Sequence, residues 1–438
     1  MEEKYKEALE YLYSQLPMFS RVGAAAYKPG LERVERLSEY FGNPEKKLKA
    51  IHIAGTNGKG STSHIIASVL QACGYKTALY TSPHLIDFRE RIKINGKMIP
   101  KEKVVEFVEK WKNCDYTGDR PSFFELTMMM AFCWFAEEDV DYAVIETGMG
   151  GRLDSTNIIH PILCVITNIS PDHTQFLGHT PREIAAEKAG IIKEGIPVVI
   201  GEADEDTESV FLMKALEKGS PLTKVYRNPE VDGFKLKSDF SGWEAESDWL
   251  GEIEVDLAGE YQKKNIPTAI AAIKILSEEG LDLPVDGIKN GLAKAAESTG
   301  LYGRWSVISR SPITICDTGH NIGGLRINIS QLEKLKSIAP ENSKLRMLIG
   351  FVADKAIDEI LDIFPAQAEY YLTRADIPRA LPENQLLEKF EAHGLKGRKY
   401  PSVEEAWKAI QEEKGKDDII YVGGSTFIVA DFLKSLVH

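Results

Sequence analysis

The apolar run Ala50-Ile51-His52-Ile53-Ala54 stops abruptly at Gly55-Thr56-Asn57-Gly58-Lys59-Gly60-Ser61-Thr62, and a helix-like stretch follows. A strand that feeds a glycine-rich loop into a helix N-terminus makes an anion cradle, because backbone N–H groups and the helix dipole both point at the ligand. Lys59 supplies a point charge for outer phosphates, and Ser61 or Thr62 a hydroxyl for Mg2+. Ile53 stands where a strict Walker A motif has its first glycine. The plain alternative is a glycine-rich turn between a strand and a helix.

A chain of 438 residues exceeds one ordinary core, so two or three domains are expected. With 43% hydrophobic and 27% charged residues, the composition is that of a globular protein. The net charge of −13 argues against nucleic acid as a partner, because no basic field draws in a phosphate backbone. Five cysteines, an odd number with no C-x-x-C pair, point to a reducing cytoplasm rather than disulfides or a zinc site. The opening Met1-Glu2-Glu3-Lys4 does not resemble a signal peptide, and the longest apolar run, Leu126 to Ala136, is too short for a bilayer. A cytoplasmic protein with no membrane partner is expected.

Short apolar runs alternate with helical stretches. Residues 1–48 read as helical with a loop near Tyr27-Lys28-Pro29-Gly30. Strands are expected at 50–54, 77–80, 142–145, 163–167 and 197–200, and helices at 60–73, 101–113, 123–138 and 181–192. This alternation predicts an α/β fold with a parallel sheet. The 123–138 helix is apolar on nearly every side and should be buried, its three methionines filling the core. Alternating runs at 224–226, 233–237 and 253–257 suggest a small appended antiparallel sheet. Helices at 261–279 and 284–297 follow, and 296–303 reads as a linker. A second α/β set has strands at 305–308, 313–317, 345–350, 369–373 and 418–422, with helices at 324–337, 355–364, 383–392, 402–412 and 426–436. Two doubly wound domains are expected, 1–297 and a smaller 298–438.

The polar residues of interest fall just after the strands. Thr81-Ser82-Pro83-His84, Glu146-Thr147-Gly148-Met149-Gly150-Gly151-Arg152-Leu153-Asp154 and Asn168-Ile169-Ser170-Pro171-Asp172-His173 each follow one, as does the phosphate loop. Ligands bind beyond the carboxyl ends of parallel strands, so four loops converge on one edge. Glu146 reads either as a solvated carboxylate or as a Mg2+ ligand, His173 as a hydrogen-bonded loop residue or a ligand. Ser82 could simply shape a turn, and composition alone does not select Lys188. In the second set, Asp317-Thr318-Gly319-His320-Asn321, Asp354-Lys355, Arg374-Ala375-Asp376 and Gly423-Gly424-Ser425 repeat the pattern. There Arg304 could reach a phosphate, or form only a surface ion pair worth little, and Asp317 could accept from ribose or amine.

These motifs, in order, resemble the folylpolyglutamate synthase and dihydrofolate synthase family within the Mur ligase superfamily. The resemblance spans nearly the whole chain. It rests on Leu31-Glu32-Arg33, the phosphate loop, Thr81-Ser82-Pro83-His84-Leu85, Phe124-Glu125-Leu126-Thr127, Glu146 to Asn157, Asp172-His173-Thr174, Glu187-Lys188-Ala189-Gly190-Ile191, Gly259-Glu260-Tyr261-Gln262, Gly303-Arg304 and Asp317 with His320-Asn321. It implies that Asn57, Gly58, Lys59, Gly60, Ser61 and Thr62 hold ATP phosphates, and that Asn265, Arg304 and Asp317 contact the nucleotide. Two Mg2+ ions are implied, with Ser61, Ser82, Glu146, His173 and Lys188 as the ligand set and Lys188 carbamylated. Lys59, His173 and Lys188 are the implied catalytic residues. Lys28, Pro29 and Gly30, Ser122, Phe123, Phe124 and Glu125, and Leu153, Asp154 and Ser155 would line a pterin pocket, with His320 and Ser425 near the incoming glutamate. The chain departs from the family at Asp317-Thr318-Gly319-His320-Asn321-Ile322, usually Asp-Gly-Ala-His-Asn-Pro, and at Gly424-Ser425-Thr426-Phe427, usually Gly-Ser-Leu-Tyr.

The implied reaction joins L-glutamate to dihydropteroate and to reduced folates at the expense of ATP, through an acyl phosphate. A monomer whose two domains close over the nucleotide is expected. The alternatives are a polyglutamate synthase only, a cell-wall peptide ligase using a UDP-sugar peptide, and a nucleotide-gated binding protein without chemistry. The Phe123-Phe124 segment and the lack of an extra N-terminal UDP-binding domain count against the second. The third needs neither His173 nor Lys188.

Overall fold

The computed structural model describes residues 1–16, 30–171, 173–353 and 357–436. It separates into two compact units, the first comprising 1–234, 244–256 and 263–300, the second 235–243, 257–262 and 301–438.

The first unit holds an eight-stranded sheet built from β1 (Ala50–Ala54), β2 (Thr77–Tyr80), β3 (Ile92–Ile94), β4 (Lys97–Met98), β5 (Tyr142–Glu146), β6 (Leu163–Ile166), β7 (Val198–Ile200) and β8 (Leu222–Lys224). Its order is β4-β3-β2-β5-β1-β6-β7-β8. The six strands from β2 to β8 are parallel, and β3 and β4 add an antiparallel edge. Every residue of β1, β2 and β6 is buried. Covering both faces of the sheet with helices explains why these strands read as continuous apolar runs. The helix Lys59–Ala72 is buried from Gly60 to Leu70. Helix Phe123–Glu137 is enclosed as its composition predicts, and Met128, Met129 and Met130 lie in the main core with the N-terminal helix residues Tyr5, Ala8 and Leu12.

A small antiparallel meander, β9 (Val231–Leu236), β10 (Trp243–Ser247) and β11 (Gly251–Val255), is appended. Here the expectation needs correction. Residues 224–226 do not start this sheet, because Leu222–Lys224 closes the edge of the large one. The middle strand went unexpected, since Glu244 and Glu246 leave only Trp243 and Ala245 as large or apolar inward residues. The expected linker at 296–303 begins as helix, Ala295–Thr299, locked to the phosphate-loop helix. His64 Nδ1 lies 2.6 Å from Thr299 Oγ1, and Ser68 Oγ donates to the Gly291 carbonyl at 2.7 Å.

The second unit has a six-stranded sheet: β12 (Ser306–Arg310), β13 (Ile313–Cys316), β14 (Leu345–Ile349), β15 (Glu369–Leu372), β16 (Gly397–Lys399) and β17 (Ile419–Gly423). The order is β12-β13-β17-β14-β15-β16, parallel except for the β12–β13 hairpin. Helices Ile322–Ile338, Glu383–Ala392, Val403–Glu413 and Thr426–Ser435 stand at their expected places. The helix expected at 355–364 is only Asp358–Leu361 among the described residues, and β16 went unforeseen because Gly-Arg-Lys carries no apolar signal.

Candidate active site

Strands β2, β5, β1 and β6 are consecutive in the first sheet, so the loops at their carboxyl ends are side by side. At the end of β1 the chain turns through Gly55, with φ 152°, and Gly58, with φ 85°. A side chain at Gly55 would collide with Thr167 Oγ1, and one at Gly58 with Asn265 Oδ1, so both glycines are required by close approach. Asn265 is thereby placed against the phosphate loop.

The loop is braced from β6. Asn168 accepts the Thr56 N–H through its carbonyl at 3.0 Å and the Asn57 N–H through Oδ1 at 2.9 Å. Thr56 Oγ1 donates to the Ser170 carbonyl at 3.0 Å, and Thr167 Oγ1 to the Asn57 carbonyl at 2.6 Å. Lys59 Nζ folds back to the carbonyls of Gly55, at 2.9 Å, and Thr56, at 3.1 Å. Gly60, Ser61 and Thr62 form the first turn of the helix. Thr62 Oγ1, and Thr147 Oγ1 one residue after Glu146, are buried hydroxyls without a hydrogen-bond partner among the described residues. Buried polar atoms are usually satisfied, so each of these hydroxyls is a place where a bound oxygen ligand or water would fit.

Glu146 closes β5 beside Ile53 of β1 and is buried. Its Oε2 accepts the Ser82 N–H at 3.0 Å, which ties the β2 loop to the β5 end. His173 has φ 49° and heads the short helix Thr174–Leu177. Leu177 packs on Gly150 of the Glu146 loop, which brings that helix beside it. Asp172 lies outside the described residues. Lys188, in helix Pro181–Ala189, is buried and its Nζ donates to the Gly55 carbonyl at 2.8 Å. Two ammonium groups, of Lys59 and Lys188, thus share one carbonyl. Among the described residues no three His, Cys, Asp or Glu side chains form a metal cage. The Glu146 carboxylate and the hydroxyls of Ser61 and Ser82 are oxygen donors of the kind a hard cation takes, whereas Lys188 as an ammonium is not.

Of the residues expected around a pterin, Lys28 and Pro29 lie outside the described residues, and Gly30 is half-buried. Ser122 caps the helix Phe123–Glu137 in a capping box with Glu125. Glu125 also takes a two-pronged ion pair from Arg33, with Nε at 2.9 Å and Nη2 at 2.6 Å. Phe123 is buried, whereas Phe124 is half-buried against Tyr80 and Gly148. Asp154 is buried and accepts from Met149 N at 2.7 Å, Thr156 N at 3.0 Å and Thr156 Oγ1. Burial pushes the Asp154 pKa up, against the pull of these hydrogen bonds. Leu153 precedes this brace and Ser155 opens the turn Ser155–Ile158.

In the second unit, Asp317 is buried and accepts four donors: Tyr261 OH at 2.6 Å, Trp305 N at 2.7 Å, Gly319 N at 2.7 Å and Asn328 Nδ2 at 2.7 Å. Arg304 donates to the Gly303 carbonyl at 3.1 Å and to Thr318 Oγ1. His320 Nδ1 is 3.1 Å from the Thr318 carbonyl. Ser425 caps the helix Thr426–Ser435, accepting Ile428 N at 3.2 Å.

Sequence reasoning missed the Asn168–Ser170 brace and a buried chain from His52 Nε2 through Thr156 Oγ1, 2.9 Å away, to Asp154. His52 sits in an apolar strand with nothing local to mark it, and burial holds its pKa down to about 3, so the ring is neutral.

Residues 53–273 match the Mur ligase middle domain, and 303–426 the Mur ligase glutamate ligase domain. The chain is 32% identical over 449 residues to the dihydrofolate synthase/folylpolyglutamate synthase of Bacillus subtilis, covering 99% of both chains. It belongs to this family of Mur ligases. The chain is also similar to the Lacticaseibacillus casei folylpolyglutamate synthase, 34% identical over 397 residues with 86% of this chain and 87% of that protein covered. Among solved structures, E. coli FolC in complex with DHPP and ADP superimposes with a TM-score of 0.82 at 29% identity, covering 99% of this chain and 97% of that one. A bifunctional synthase with Mn, AMPPNP and L-glutamate bound gives 0.81 at 28% identity, covering 99% and 98%. Family membership makes this chain an ATP-dependent ligase.

Proposed function

We propose that this ligase adds L-glutamate both to dihydropteroate and to reduced folates, in one active site. The observation that supports it most is the meeting of Lys59 and Lys188 on the Gly55 carbonyl, next to the strand that ends in Glu146. Two cations on one acceptor repel. Carbamylation of Lys188 would remove one of them and supply an oxygen ligand for a metal ion. Ser61, Ser82, Glu146, His173 and the carbamate are the proposed holders of two Mg2+ ions, which when bound neutralise phosphate charge.

A carboxylate is a poor electrophile. Its oxygen attacks the γ-phosphorus of ATP, ADP leaves, and the acyl phosphate forms. The glutamate amine then attacks the acyl carbon, phosphate leaves, and an amide results. Phosphoryl transfer asks mainly for positioning and charge neutralisation. Lys59 must leave its two loop carbonyls to reach phosphate, while the loop itself stays braced by Asn168 and Thr167. Asn265, Arg304 and Asp317 are proposed nucleotide contacts, Phe124 the aromatic face for the pterin, with Asp154 as a hydrogen-bond acceptor for its edge. His320 and Ser425 are proposed to serve glutamate.

We infer a cytoplasmic monomer. Its five cysteines are all free, and no helix among the described residues is long and apolar enough to cross a membrane. The decisive assay supplies ATP and labelled glutamate with dihydropteroate or with tetrahydrofolate. ADP release that depends on both pterin and glutamate is expected with either acceptor. Extension of tetrahydrofolate alone makes the enzyme a polyglutamate synthase only, and ATP binding without any ligation overturns the proposal.

A further inference from the structure

Arg91 lies just ahead of β3 and is only 8% exposed. Its Nε donates to His84 Nδ1 at 2.7 Å, and its guanidinium carbon lies 5.3 Å from the Phe123 ring centroid. Other enclosed guanidinium groups in this chain are matched by carboxylates: the half-buried Arg33 by Glu125, and the buried Arg346 by Asp418 and Glu369. Arg91 has no such match among the described residues. Its neighbour Glu90 is committed to the N–H groups of Leu85, Ile86 and Asp87. Glu146 acts on it only through space and is itself bonded to Ser82 N.

A buried guanidinium held by one neutral acceptor is costly unless an anion completes it. The holding is specific. His84 accepts on Nδ1, so its ring is neutral there, and the contact fixes the plane of the guanidinium while Phe123 supports one face. Burial lowers the Arg91 pKa, with Tyr80, Tyr13, Glu146 and Glu90 opposing.

We propose that Arg91 binds the reacting carboxylate of the pterin substrate with its remaining N–H groups, between the Phe123–Phe124 aromatics and the Glu146 end of β5. This rests on the functional reading above. An arginine suits the place for a chemical reason. The nucleophile of the first step is a carboxylate oxygen, which forms its bond to the γ-phosphorus as the electron pair of the breaking P–O bond leaves with ADP. No proton moves in that step. A group that could donate its proton would quench the nucleophile, whereas a guanidinium stays charged and holds the oxyanion in a fixed fork.

The test measures equilibrium binding, without ATP, of dihydropteroate and of its carboxamide analogue, which lacks the charge. Wild type is expected to prefer the acid. Arg91→Met should bind the acid about 10- to 100-fold more weakly, leave the amide unchanged, and so erase the preference. Because methionine fills the space without a buried charge, its melting temperature should stay level or rise, which a purely structural role would not allow. Arg91→Gln gives the same comparison if the methionine variant does not fold. A preference retained in these variants, or a loss of ATP affinity with acid binding intact, overturns the assignment of Arg91 alone. Wild type that binds neither pterin overturns the functional reading and this one with it.

Discussion

Glu146 is buried at the end of β5, its Oε2 accepts Ser82 N, and its strand pairs with β1, which leads into the phosphate loop. Glu146→Ala should leave the fold intact and lower kcat about 10²- to 10³-fold, the scale for losing one group that stabilises transition-state charge. Turnover within a few-fold of wild type, in a protein with an unchanged circular dichroism spectrum, would remove Glu146 from the metal site. At Lys188 the prediction has a chemical signature. Lys188→Ala should be inactive and should regain activity in the presence of a short carboxylic acid, which replaces the carbamate oxygens. Failure of rescue alongside intact ATP binding speaks against the carbamate. Arg304 is half-buried and donates to the Gly303 carbonyl and to Thr318 Oγ1, both near it in the fold, so Arg304→Ala should act on nucleotide affinity. A KM for ATP raised about tenfold, with the KM for pterin unmoved, is the expected split for loss of one charged contact.

At the scale of elements, the helix Phe123–Glu137 shows how local signals and distant ones combine. Its Ser122–Glu125 capping box is readable from four adjacent residues, and Ser122→Ala should cost about 1 kcal/mol of stability, measured by urea unfolding. The Arg33 fork that holds the same Glu125 joins residues 92 positions apart and left no local trace. That contrast explains what was legible. Strands β1, β2, β5, β6 and β14 are buried throughout or nearly so and announced themselves as apolar runs. Strands β3, β4 and β16 contain Lys93, Lys97, Arg398 and Lys399 in two or three residues, too little for a period to emerge. The phosphate loop was legible because its chemistry is contiguous. Its braces Asn168 and Ser170, over a hundred positions away, became visible only when β6 lay next to β1. Arg91 went unremarked because a basic residue in Phe-Arg-Glu-Arg reads as surface.

Across the molecule, charge is organised at the amino edge of the second sheet. Glu413 is drawn down to about 2, first by its hydrogen bond to Arg398. Asp418 is pushed up by burial, but Gly415 N–H and Arg346 outweigh this and leave it below the usual carboxylate range. A carboxylate whose folded pKa is depressed stabilises the fold above its unfolded pKa and loses that contribution as pH falls through the folded value. For Glu413 the window runs from its ordinary 4.5 down to about 2. Glu413→Gln should therefore melt below wild type at pH 6, and the gap should narrow steadily as the pH approaches 2.5. A gap that stays constant over this range would show that Glu413 contributes no titratable stability.

The strand order has a last consequence, for how such molecules behave when crowded. An open sheet ends in rows of unpaired N–H and C=O groups on which another chain can build. Here the first sheet ends in β4, two residues long, and β8, three residues long; each carries a lysine. The second ends in β16, three residues including Arg398 and Lys399, and in β12, whose register is broken between Val307 and Ser309. Among the described residues, none of these four edges offers an intruding strand a long, regular, uncharged template, so the two large sheets are built without inviting strand-by-strand growth.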